Sequence, residues 1–202
     1  MSNFWNHIRT IIIHKKYVRK MCFKMGIPWL GLVHDLSKFS IEELKIAKYY
    51  DGTRSPHEVL REQLGYSPVW RHHYSKNKHH WQYWLDIQDW PDKVMAAKMP
   101  YKYVIEMFCD MVGASKAYGR KKEKWEESEV WSYWEKACKG KRLMHSDSEF
   151  LIEKILNIFN KLGEKKFFRW YKMAKKSLKK EYHNGDLRFN FSAGIYLVLF
   201  AK

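Results

Sequence analysis

The chain is short of the residues that would cross-link it or carry it through a bilayer. Its 202 residues include three cysteines, Cys22, Cys109 and Cys138, an odd number without framework spacing, which argues against a disulfide scaffold. No apolar run approaches the ~20 residues that a membrane span requires, and the closing IYLVLFAK is far shorter. The opening MSNFWNHIRT lacks the apolar core of a signal peptide, so a reducing cytoplasm is the expected location and no membrane partner is expected. Acidic residues are also scarce: 22 Asp and Glu stand against 38 Lys and Arg, a net charge of +16. That excess is not a detachable tail, because residues 1–120 and 121–202 each hold 19 basic and 11 acidic residues, hence +8 apiece. It points to an anionic partner, whether a nucleotide or other phosphorylated small molecule, a nucleic acid or an acidic surface. Aromatic residues, by contrast, are plentiful at 17% with 10 Trp, enough buried area per residue to make an ordered fold the expectation.

Helical spacing dominates. Trp5, Ile8, Ile11, Ile12, Met21 and Met25 predict a helix over residues 3–25, stopped by Gly26-Ile27-Pro28. A second short helix should carry His34-Asp35. Ser40-Ile41-Glu42-Glu43 has capping-box spacing and predicts a helix through about Tyr50. After the polar DGTRSPH of 51–57, helical patterning returns from Glu58, passes Pro68 and ends near SKNK at 75–78. Asn77 would cap a further helix running HHWQYWLDI. A strong helix is expected over 101–118, closed by Gly119, then helices near 126–138, 147–162 and 164–180. The Asn184-Gly185 turn signal and the alternation in LRFNF suggest a closing β-hairpin. The reading is mostly α: a helical core over 1–120, with a C-terminal region and small extension over 121–202 packed on it.

The chemistry-bearing residues are scattered along this frame. GLVHDLSKFS places His34, Asp35 and Lys38 just past an apolar run. His14 sits on the first predicted helix, RHHYSKNKHHW contributes His72, His73, His79 and His80, and Asp110 lies in MPYKYVIEMFCD. Imidazoles and carboxylates suit divalent manganese, iron, zinc, nickel or cobalt, and a carboxylate can bridge two ions. Helix bundles build such sites from side chains on facing helices. On one continuous helix, residues seven apart lie about 10.5 Å apart along the axis, so His73 and His80 need the polar SKNK break to turn toward one point.

The order His14 … His34-Asp35 … histidine cluster … Asp110 resembles the HD-domain superfamily of metal-dependent phosphohydrolases, over about residues 10–120. The strings HDLSKFS, HHYSKNKHHWQYW and MPYKYVIEMFCD also resemble a family of small, functionally uncharacterised HD-like proteins. The resemblance implies an HD-like helical bundle in which His14, His34, Asp35 and Asp110 form the primary metal site, with Asp35 bridging. One of His72/His73 and one of His79/His80 would complete a second, with His73 and His80 favoured. Lys38 matches the lysine that faces the phosphate or orients water in such proteins.

The expected activity is hydrolysis of a phosphate mono- or diester, a nucleotide or nucleotide-derived signal, by attack of metal-bound hydroxide. Glu106, four residues before Asp110, would orient a ligand or accept a proton. Arg71, Lys76 and Lys78 would hold further phosphates. Two other readings stand beside this one. The same ligand order resembles mixed-valent di-iron HD oxygenases, and the charge and aromatic residues suit a nucleic-acid-binding module whose metal is structural or absent. The C-terminal third is available for partner contacts or self-association under any of them.

Overall fold

The computed structural model describes residues 3–52, 54–89, 93–119 and 125–185, and it is mostly helical. The chain divides into two compact units, Met1–Tyr83 with Cys109–Trp125, and Trp84–Phe108 with Glu126–Lys202. The division therefore falls at Tyr83, inside a helix at Cys109 and at Trp125, whereas the sequence reading sets a single boundary near 120.

In the first unit, α1 (Asn3–Met25) buries Ile11, His14, Val18, Met21, Cys22 and Met25 at helical spacing. Gly26, at φ 75°, ends it in the left-handed conformation, and the Ile27 N–H bonds back to the Cys22 carbonyl at 3.0 Å. Pro28, pre-set for a first helical turn, opens α2 (Pro28–Val33). This helix crosses α1 closely at Gly31, where a Cβ would stand 2.6 Å from the Cys22 Cβ. A 3-10 turn over Leu36–Phe39 leads to α3 (Ile41–Leu44), whose Glu43 N–H is accepted by the Ser40 hydroxyl, and a second 3-10 turn ends at Tyr49.

The helix expected to return at Glu58 and pass Pro68 is in fact two. α4 (Pro56–Leu64) starts on Ser55 and stops at Gly65, φ 78°, and α5 (Pro68–Lys76) begins with its proline in the first turn. A proline lacks the N–H that a helix interior needs, so Pro68 starts a helix and does not continue one. The last part of α6 (Tyr101–Tyr118) joins this unit, with Gly113 backed against Val18 of α1.

The helix expected over HHWQYWLDI, residues 79–87, which run from the end of the first unit into the second, is absent. Trp81–Trp84 form a 3-10 turn, and Leu85–Gln88 (β1) pairs antiparallel with Lys93–Ala96 (β2), Ile87 opposite Val94. Pro91 leaves too little chain for a stable helix, and the β-branched pair suits a ladder. In the second unit, α7 (Glu127–Tyr133) runs into a π-helical turn over Trp134–Cys138. α8 (Ser146–Asn184) breaks at Gly163, φ 69° and ψ 161°, as the sequence division between 162 and 164 anticipates. The Glu127 carboxylate caps the restart by accepting from the Glu164 N–H at 2.8 Å. Phe108, Phe159 and Phe167 stack edge and tilt at 5.1–5.3 Å in its core. All three cysteines are buried thiols. The expected C-terminal hairpin lies outside the described residues, among which no helix is long and apolar enough to cross a membrane.

Candidate metal centre

His34 is the residue that closes α2, and Asp35 follows it at φ 52°, the one non-glycine residue in the left-handed region among those described. Aspartate tolerates that conformation better than most side chains. The helix expected to carry the pair therefore ends one residue short of it. The pair occupies a tight turn, a conformation that costs energy and concentrates at functional sites. Lys38 sits in the 3-10 turn beyond, its ammonium 2.6 Å from Asp35 Oδ2.

Around this turn two groups of donors converge, each with its ligand atoms within 4.8 Å of one another: His14, His34, Asp35 and Asp110, and Asp35, His73, His79 and His80. In the first, His14 Nε2 lies 3.3 Å from His34 Nε2, 3.5 Å from Asp35 Oδ2 and 3.1 Å from Asp110 Oδ1. His34 Nε2 is 3.3 Å from both carboxylate oxygens. In the second, Asp35 Oδ1 is 3.6 Å from His73 Nε2 and 3.5 Å from His79 Nε2, while His73 and His80 present Nε2 atoms 2.8 Å apart. Nitrogen and oxygen ligands about 2.0–2.2 Å from one ion stand roughly 3.3–3.5 Å apart around a tetrahedron. Most of these contacts match that spacing and exceed the 2.7–3.2 Å of ordinary hydrogen bonds. The donor set thus fits a cation, and these buried groups can hold one.

Electrostatics agree with that fit. Burial raises the Asp35 carboxyl, but His34, Lys38 and His73, with a hydrogen bond from His14, hold it well below the usual carboxylate range. Asp110 follows the same pattern through His14, His34 and His79. Burial alone would lower Lys38, yet Asp35 and Asp110 keep its ammonium charged. His80 is held neutral by burial and by His79 and His73 beside it, the state in which a nitrogen lone pair is free for a metal.

The SKNK break brings the histidines together as a turn, not as the start of another helix. Asn77 closes α5: its amide donates to the His73 carbonyl at 2.7 Å and to Ser37 Oγ at 2.8 Å, fixing α5 to the turn that holds Lys38. Both His79 and His80 reach the site, where one of the two is expected. His72 does not: its Nδ1 is 3.0 Å from Glu43 Oε1 and its Nε2 3.6 Å from Glu42. Trp70 forms a wall, with its ring 5.3 Å from His73 and 4.9 Å from His80.

Two residues escaped the sequence reading. Glu43, only 2% exposed, holds His73 Nδ1 at 2.8 Å with its second oxygen, leaving Nε2 toward Asp35. Its spacing from Ser40 reads as a capping box, and nothing in that pattern reveals that the carboxylate turns inward. Lys15, beside His14, donates to the His34 carbonyl; burial, then Lys38 and Arg19 against Asp35, lower its pKa. Glu106 is buried on α6 one turn before Asp110. Arg71, Lys76 and Lys78 are exposed; Arg71 lies nearly opposite His73 on α5, and the Lys78 ammonium rests 5.5 Å from the Tyr83 ring.

No curated protein and no solved structure matches the chain. The model of the family of unknown function DUF5662 matches residues 3–158, most of the chain including every donor above, and the protein belongs to that family.

Proposed function

We propose that this protein is a metal-dependent phosphohydrolase of the HD-domain kind, acting on a phosphate mono- or diester, with a nucleotide or nucleotide-derived signal as the favoured substrate. One observation carries the reading: Asp35 turns Oδ2 to one donor group and Oδ1 to the other, as a carboxylate shared by two cations must. A pair of divalent transition metals there would lower the pKa of bound water from 15.7 toward about 7 and offset charge on phosphoryl oxygens.

The side chains have separable tasks. Lys38, charged and 26% exposed at its side chain, neutralises a non-bridging phosphate oxygen. Asp110, at 20%, marks the accessible side of the first donor group, whereas His34 and Asp35 are closed to solvent. Glu43 and Asn77 hold His73 in place, and Glu106, buried one turn before Asp110 on α6, would orient a ligand or take a proton. In the reaction, the oxygen of water joins phosphorus, the bond to the leaving oxygen breaks, and the water proton ends on that oxygen.

A screen of nucleotides and simple phosphate esters with manganese, iron, zinc, nickel or cobalt tests this. Ester hydrolysis, read as free phosphate from a monoester or as the freed alcohol from a diester, that is abolished by Asp35→Ala supports it; turnover that survives the substitution refutes it. Iron-dependent oxygen consumption without hydrolysis of any ester would assign the oxygenase reading instead.

A further inference from the structure

Residues 1–34 contain six basic residues, Arg9, Lys15, Lys16, Arg19, Lys20 and Lys24, and no Asp or Glu; the first acid is the ligand Asp35. In a protein with 22 acids, that stretch is uniformly positive. α1 spans most of it and has two sides. At about 100° per residue, Trp5, Ile12 and Phe23 fall along one line, nearly opposite the buried His14 and Val18. These three apolar side chains are 62%, 54% and 53% exposed. Lys16 lies on the same line, and the exposed Arg9 and Lys20 flank it.

α2 widens this face. Its Gly31 sits where a Cβ would be 3.2 Å from the Arg19 Cα and 2.6 Å from the Cys22 Cβ, so α2 runs along the flank of α1 beside the outer line. From there Trp29 and Leu32 face solvent, at 70% and 46%. The turn after α2 reaches the same flank, because the Lys15 ammonium is 6.0 Å from the Phe39 ring; Phe39 is 41% exposed and Leu36 55%. Exposed aliphatic and aromatic residues thus line α1, α2 and the turn after them, and α1 carries cations while neither helix has an acid.

We propose that this face docks on an anionic lipid bilayer, lying in the plane of its headgroups. The charge selects that occupant. A second copy would set Arg9, Lys16 and Lys20 against their like, and self-association through the same face would be repelled. A nucleic acid would satisfy the cations but offers nothing to Ile12, Leu32 and Leu36, which have no π face and gain only by entering acyl chains. The indoles of Trp5 and Trp29 suit the headgroup boundary, and the surrounding Lys and Arg suit anionic lipid. Insertion is shallow, since no helix among the described residues is long and apolar enough to cross. None of the metal donors lies on the outer line, so the proposal stands independently of the catalytic reading.

Flotation of the full-length protein with phosphatidylcholine vesicles, with and without phosphatidylglycerol, tests it. Binding about tenfold stronger to the anionic vesicles, weakening with salt, is expected. The exposed-site variant Ile12→Ser/Phe23→Ser/Trp29→Ser should lose binding about tenfold while its unfolding temperature and its metal content stay unchanged. Lys16→Glu/Lys20→Glu should weaken anionic vesicle binding alone. Absence of vesicle binding, equal binding to neutral and anionic vesicles, or full binding by the triple-serine variant would overturn the proposal. So would loss, in that variant, of self-association or DNA binding in a protein that ignores vesicles.

Discussion

At the scale of single residues, most of the candidate centre was legible because metal ligands must be of a few chemical types. His14, His34, Asp35 and Asp110 are named by residue type and order, and the coordinates bring their donor atoms to 3.1–3.5 Å. The choice within each histidine pair was not legible, since adjacent residues differ only in backbone direction, which the turn after Asn77 decides. Glu43 was misread, because a carboxylate three residues after a serine has the same spacing whether it caps a helix or orients an imidazole. Glu43→Gln should therefore lower metal affinity about 10–100-fold, a usual cost of losing such an orienting partner, with little change in thermal stability of the metal-free protein. Titration with a competing chelator measures it, and an unchanged affinity would leave Glu43 with a capping role only. Two other buried histidines set an acid limit. Burial, then the charge of Lys38, lowers His7 to about 4, and burial, then His73, lowers His57 to about 3. Both are neutral when folded, whereas the unfolded chain takes up their protons below 6.5. Stability from these groups is thus full above pH 6.5 and is lost as pH falls toward 4. His7 alone should cost about 2 kcal/mol by pH 5. Chemical denaturation of metal-free protein at pH 7 and pH 5 checks this, and His7→Gln should flatten part of the slope.

Among the elements, helices with strong punctuation were readable and short ones near proline were not. α1 and α6 end where Gly26 and Gly119 predict, and the Gly163 break divides α8 as expected. The β1–β2 pair was missed because WQYWLDI is apolar enough to fit either period, and only the proximity of Pro91 argues against a helix. The strands expected at the C-terminus fall outside the described residues. The tightest element contacts predict their own cost. A methyl on Gly31 or Gly113 would stand 2.6 Å from the Cys22 Cβ or 2.5 Å from Val18 Cγ2, with backbone at 3.2 Å behind each. Neither neighbour is the loose end of a flexible chain, so Gly31→Ala and Gly113→Ala should each destabilise by about 1–3 kcal/mol. A denaturation midpoint equal to wild type would show that the α1 crossings are looser than these distances imply.

On the scale of the whole molecule, the net charge of +16 is read most directly, but where it acts depends on folding. Cations that look equivalent in sequence divide into Lys15 and Lys38 beside the donor groups, and Lys16 and Lys20 on the outer side of α1. The buried carboxylate of Asp35 and the partly exposed one of Asp110, set amid imidazoles, make the metal-free site costly, and a bound cation stabilises only the folded state. Chelation should therefore lower the unfolding temperature by several degrees, the shift of about 2.7 kcal/mol expected for an ion present at a hundred times its dissociation constant. Re-addition of metal should restore it. The most direct test of the central claim is elemental analysis of purified protein beside its Asp35→Ala variant. Two divalent transition-metal ions per chain, with both lost or sharply reduced in the variant, is the predicted result. A wild-type protein without metal under metal-replete conditions, or a variant that keeps both ions, would contradict it.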